Sequence, residues 1–94
     1  MRIEAIDWLD SIVDKLLRKH GVEPFEVEQV LGSTSRIRLV GRARKDKENL
    51  YIALGQTDAG RYLAVFFVRK QDRGILVVSA RDMTRKERRQ YARK

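Results

Sequence analysis

The chain has no cysteine, one histidine and one proline in 94 residues. Without cysteine there is no disulfide, no thiolate nucleophile and no thiolate metal site, and nothing points to a secreted, cross-linked framework. The lone histidine, His20, cannot build a metal site by itself, and no second ligand sits at a useful spacing. A Ser-His-Asp arrangement could draw only on His20, and no serine stands in a nucleophile-elbow context. No glycine-rich loop leads from a strand into a helix, so cradling of a nucleotide by backbone amides has no support. No apolar run nears the roughly 18 residues of a membrane span. Met1-Arg2-Ile3-Glu4 lacks the charged-then-apolar layout of a signal peptide. The expected location is the cytoplasm, with no cofactor, no metal and no membrane.

What the sequence does hold is positive charge, distributed unevenly. Lys and Arg number 21 against 13 Asp and Glu, for a net charge of +8. Residues 1–31 carry four basic and seven acidic residues, 32–68 carry seven and three, and 69–94 carry ten and three. A basic half on a mixed domain implies an anionic partner, most commonly nucleic acid. Solubility alone needs no such asymmetry. The length sets one domain, 1–94, and the 43% hydrophobic content fits a folded chain.

Periodicity gives an α+β order. Residues 4–20 read as an amphipathic helix through Ile6, Leu9, Ile12, Val13, Leu16 and Leu17, with Gly21 as its stop. Pro24 suits the first turn of a second helix running to about Leu31, with Val27, Val30 and Leu31 inward. From Arg36 to Arg44 polar and apolar residues alternate, and the arginines suggest an edge strand with a bulge near Gly41. Strands follow at 50–54, 62–68 and 75–79, separated by turns at 45–49, 56–60 and 71–74. Such short turns require antiparallel pairing. Thr84-Arg85-Lys86-Glu87 fits a capping box, so a last helix starts there. The expected architecture is two helices, a four-stranded antiparallel meander and a C-terminal helix.

One reaction runs on arginine, lysine, glutamate and tyrosine without a cofactor. This is cleavage of RNA by its own 2′-hydroxyl. The protein need only orient the phosphate, neutralise charge on its oxygens and move protons. Arg81, at the end of the last strand, can meet Arg88 and Tyr91 of the last helix, and Glu87 lies one turn from Tyr91. Glu87 is equally a cap for Thr84, and nearby arginines would lower its pKa and make it a poor base. His20 is suited to acid–base work or to capping the first helix. A solvated basic helix without catalysis, serving a partner protein or nucleic acid, is the other reading. Six of the ten residues 85–94 are basic, so this helix is expected to carry substrate-facing groups rather than fold stability.

Three stretches, "KHGVEPFEVEQVL" (19–31) after Trp8, "ENLYIALGQTDAGRYLAVFFV" (48–68) and "SARDMTRKERRQY" (79–91), resemble the BrnT toxins of bacterial toxin–antitoxin pairs. The resemblance implies a RelE-like fold and an endoribonuclease that arrests translation. It also implies a cognate, BrnA-like antitoxin that binds DNA, commonly through a ribbon-helix-helix. Arg81, Glu87, Arg88 and Tyr91 match the family pattern as catalytic candidates, with His20 beside them. Lys19, Arg61, Arg85, Lys86 and Arg89 are the expected RNA-binding cations. Many members carry Asp after the tryptophan, then Lys and Asn along that helix, where this chain has Leu9, Ile12 and Leu16.

Overall fold

The computed structural model describes residues 5–33, 36–42, 48–70 and 74–92. The order is β1 (Ala5–Asp7), α1 (Asp10–His20), α2 (Pro24–Gly32), β2 (Arg36–Arg42), β3 (Asn49–Gln56), β4 (Tyr62–Arg69), β5 (Gly74–Asp82) and α3 (Arg85–Ala92). The strands form one sheet in the order β1-β5-β4-β3-β2. The expected meander, β2 to β5, is antiparallel throughout. Of the expected turns at 45–49 and 71–74, residues 45–47 and 71–73 lie outside the described residues.

The sheet differs from expectation at its first edge. Among the described residues it has five strands rather than four, and it is mixed: β1 pairs in parallel with β5, Ile6 opposite Ile75. The stretch 5–7 is therefore not the opening of a helix. Helix α1 begins only at Asp10, after Leu9 in extended conformation. Ile6 fits either period, and three residues are too few to show strand alternation. Its conformation follows from the open edge of β5, a tertiary cause that overrides local pattern.

Helix α1 ends as expected at Gly21, whose φ of 61° is left-handed and whose N–H returns to the last turn. Helix α2 starts on Pro24 with Glu23 and Glu26 closing a reciprocal capping box. Both helices cover one face of the sheet. Leu16, Val22, Val27 and Val30 are fully buried there against Leu63, Val65, Phe67, Ile75, Val77 and Ala80. The opposite face carries a smaller cluster of Ile52, Leu54, Ala64 and Met83, with Tyr62, Phe66 and Tyr91 packed on it. Helix α3 lies over that second cluster.

Two bulges shape this second face. In β2 the register shifts between Leu39 and Gly41, and Leu39 and Val40 stand 56% and 51% exposed at the sheet edge. Between β4 and β5 the register shifts at Phe66/Phe67, so that Ser79 opposes Phe66 while Val77 opposes Phe67. The extra residue lets Ile75, Val77 and Ala80 all enter the helix-covered core. It also turns Arg81 toward α3. Without it, strict alternation would put Val77 and Arg81 on the same face.

Candidate functional site: an arginine-lined cleft under the last helix

Strand β5 runs three residues beyond its expected end, through Asp82. Arg81 therefore projects from rigid sheet, and its neighbour Asp82 projects from the other face. Each makes a bidentate ion pair. Arg81 Nη1 donates to Glu87 Oε1 at 2.7 Å and Nη2 to Glu87 Oε2 at 2.9 Å. Nη1 also donates to the carbonyl of Asp82 at 3.1 Å. The guanidinium stacks 5.2 Å from the Phe66 ring centroid. Among the described residues, no acceptor takes its Nε–H or the second Nη2 hydrogen. These two donors point the same way, so Arg81 keeps one two-pronged edge for an oxyanion.

Glu87 is held from both sides. Its backbone N–H donates to Thr84 Oγ1 at 3.1 Å, and its Oε1 accepts from the Thr84 N–H at 2.9 Å. This is the expected capping box. The Arg81 guanidinium, then the Thr84 N–H, depress its carboxyl to about 2 from 4.5, against an opposing push from burial. Glu87 is thus ionised and fully engaged. Its geometry is that of a group that aims Arg81 rather than one that takes protons.

The Arg88 guanidinium carbon lies over Tyr62, 4.2 Å from the ring centroid, a cation–π contact. Tyr91 meets Tyr62 edge-on at 6.1 Å. Beside them opens a cleft of about 760 Å³ lined by Gln56, Tyr62, Met83, Arg85, Arg88, Arg89, Tyr91 and Ala92. Helical spacing puts Arg85, Arg88, Arg89 and Ala92 on one flank of α3, and that flank is the wall of the cleft. Lys86 falls on the opposite flank.

Arg61 has a different place from the one expected of an RNA contact. Its Nε and Nη2 grip Asp82 at 2.8 and 3.3 Å. Its Nη1 donates to the Gly21 carbonyl at 2.8 Å and to Glu26 at 3.3 Å. Its Nη2 donates to the His20 carbonyl at 2.9 Å. All five donors of the guanidinium are thereby used inside the protein. The Asp82 hydrogen bond raises the Arg61 pKa and the same contact lowers that of Asp82. Arg61 ties the C-terminal end of α1, the first turn of α2 and the end of β5 into one corner. Lys19 and His20 belong to that corner, where the imidazole adds to the field that lowers Asp82. They are not among the cleft's lining residues.

The structure thus brings Arg88 and Tyr91 together in the cleft with Arg85 and Arg89, pairs Arg81 with Glu87 of the same helix outside that lining, and sets Lys19, His20 and Arg61 apart. Sequence reasoning missed Tyr62 and Gln56. Tyr62 stands out in the sequence only as the start of the strand at 62–68, although an aromatic at a strand end beside an arginine-rich helix is the available signal.

Fold and cleft together define a small three-helix, five-strand α+β domain whose exposed sheet face is roofed by a cation-rich helix. The chain belongs to the BrnT family, described as ribonuclease toxins of type II toxin–antitoxin systems, whose family profile matches residues 8–87. The fold is also that seen at 1.1 Å resolution in the ribonuclease toxin BrnT of Brucella abortus, with a TM-score of 0.63 and 19% identity. That match covers 89% of this chain and 100% of the other, and at such identity it speaks for the fold alone. A comparison with curated protein sequences returned no match. Membership of a type II family implies an antitoxin partner.

Proposed function

We propose that this protein is a metal-independent endoribonuclease, a cytoplasmic toxin of RelE-like type that inhibits translation by cutting RNA. The observation that carries this reading is the free donor edge of Arg81, locked in place by Glu87, which directly precedes the cleft-lining Arg88 on α3. In the proposed reaction the substrate 2′-hydroxyl attacks the adjacent phosphorus and gives its proton to solvent water, which afterwards restores the proton that the donor has lost. The bond to the 5′-oxygen breaks, and that oxygen takes up a proton. Products are a 2′,3′-cyclic phosphate and a 5′-hydroxyl. Arg81 and Arg88 stabilise the charge that builds on the non-bridging oxygens. Tyr91, a phenol lining the cleft, is the proposed proton donor to the leaving oxygen, and Glu87 is a positioning residue. Arg85 and Arg89 hold flanking phosphates. Lys19 and His20, at the corner beyond Asp82, would meet only an RNA strand that runs past the cleft. The partner that silences the cleft is proposed to be a BrnA-like, DNA-binding ribbon-helix-helix antitoxin.

The donor inventory favours chemistry without a metal. There is one histidine and no cysteine, and among the described residues Glu26, Asp82 and Glu87 are each committed to arginine. The test is degradation of RNA by purified protein in EDTA, with Arg81→Ala alongside. Cleavage should survive chelation, leave cyclic phosphate ends and fall by about 100-fold or more in the variant. Ends bearing a 3′-hydroxyl, or activity lost to EDTA, would overturn the mechanism. RNA binding without any cleavage would leave a non-catalytic binding module.

A further inference from the structure

A second depression lies on the other flank of α3. It runs between β2 and α3, encloses about 350 Å³ and is lined by Arg36, Ile37, Arg38, Leu54 and Gln90. Leu54, on β3 opposite Arg36, belongs to the buried second cluster and gives the groove an apolar floor. Arg36 and Arg38 are two residues apart on one strand, so both side chains leave on the same face, roughly 7 Å apart. Arg38 Nη2 donates to Gln90 Oε1 at 3.2 Å. That contact commits the amide oxygen of Gln90 and leaves its NH₂ to donate outward. Among the described residues, no carboxylate lines the groove.

Gln90 and Tyr91 are consecutive on α3, and they line different depressions. The helix is therefore a ridge between two arginine-walled hollows. A single-stranded nucleic acid that occupies the cleft has a second hollow within reach across that ridge. An apolar floor suits the face of a base. Guanidinium groups suit both stacking and phosphate, and an amide donor suits an acceptor on a base edge.

We propose that the groove between β2 and α3 is a second nucleotide subsite. Arg36 and Arg38 hold phosphates of a strand that extends beyond the cleft, and Gln90 reads an acceptor on one base. The inference rests on the RNA reading given above. It adds that recognition depends on a nucleotide bound apart from the one at Arg81 and Arg88.

The test uses full-length protein and 2′-O-methyl RNA, whose blocked 2′-oxygen prevents cleavage, in three-nucleotide and ten-nucleotide forms. Binding is titrated by fluorescence anisotropy over a range of salt. Arg36→Gln with Arg38→Gln should reduce the salt slope for the ten-mer by about 1.4, at roughly 0.7 per phosphate on a single strand. Binding of the three-mer should not change. Gln90→Ala, which keeps both arginines, should flatten affinity differences among oligo-A, oligo-C, oligo-G and oligo-U. Both arginines are exposed, so thermal unfolding should confirm that the double variant remains folded. A ten-mer slope that the double variant leaves unchanged overturns the subsite. So does a wild-type slope that is the same for both lengths, which would leave the cleft reading standing. Wild-type protein that binds neither RNA overturns both readings. If the double variant keeps the RNA slope but loses poly-glutamate binding, the groove docks an acidic protein and this proposal fails.

Discussion

Two arginines on this chain do opposite jobs, and the difference lies in what their donors touch. Arg61 spends every donor on Asp82, Glu26 and two carbonyls, whereas Arg81 spends three and keeps an edge. Arg61→Leu should therefore destabilise by roughly 2–4 kcal/mol, because two carboxylates and two carbonyls lose their partner. Arg61→Lys should restore little, since an ammonium cannot reproduce the fork. Thermal unfolding reads this, and the salt slope of RNA binding should stay at the wild-type value. A lowered slope with an unchanged melting temperature would make Arg61 an RNA contact after all. At Glu87 the sign follows from a carboxyl held at about 2 in the fold against 4.5 when free. Its contribution is complete above pH 4.5 and is lost as pH falls through 2. A shift of that size corresponds to roughly 3 kcal/mol, a ceiling because Arg81 is 32% exposed. Glu87→Gln should lower the melting temperature at pH 7, and the gap from wild type should close toward pH 2. A gap that stays constant over that range would mean the ion pair adds nothing to stability.

At the scale of elements, the helix termini make the clearest predictions. Leu9 occupies the N-cap of α1, offers no side-chain acceptor there and stands 50% exposed. Leu9→Asp should stabilise the protein by about 1 kcal/mol, seen as a higher melting temperature. An unchanged or lower one would show that the Leu9 side chain packs to advantage where it is. Leu16 admits no such exchange, since it is fully buried under the sheet. Helix α3 is better fixed than its composition suggests. It has no fully buried residue, yet Glu87 is pinned by Arg81, Arg88 by Tyr62, and Tyr91 covers Met83 and its neighbours. Removing residues 85–94 should leave the sheet folded, abolish cleavage and lower the melting temperature by about 10 °C. Retained cleavage would move the active site elsewhere. The capping box at Thr84 and the stop at Gly21 were legible because caps are local chemistry. So was the extent of β4, expected at 62–68 and found at Tyr62–Arg69. Strand β1 was not legible, because its conformation is dictated by β5. The anchoring of α3 was hidden too, since it depends on a bulge that turns Arg81 by one register. The pairing of Arg61 escaped sequence reasoning for the same reason: its partners come from three separate elements.

For the whole molecule, charge and topology follow one plan. The acidic first third supplies the two helices that back the sheet, and the basic remainder supplies the exposed face and its roof. The two parts meet at the corner by Asp82, where Arg61 of the basic remainder pairs with Glu26 of α2. The β1–β5 pairing has a further consequence in the time domain of synthesis. Chains emerge from the ribosome N-terminus first, and Ala5 has no partner until Gly74 has been made. The core between α1 and the sheet waits for Ile75 and Val77 as well. Arg81, Glu87 and Arg88 follow later still. A partly made chain therefore has neither a closed sheet nor a cleft, and the message that encodes the protein has been read almost to its end before the arginine-lined face exists.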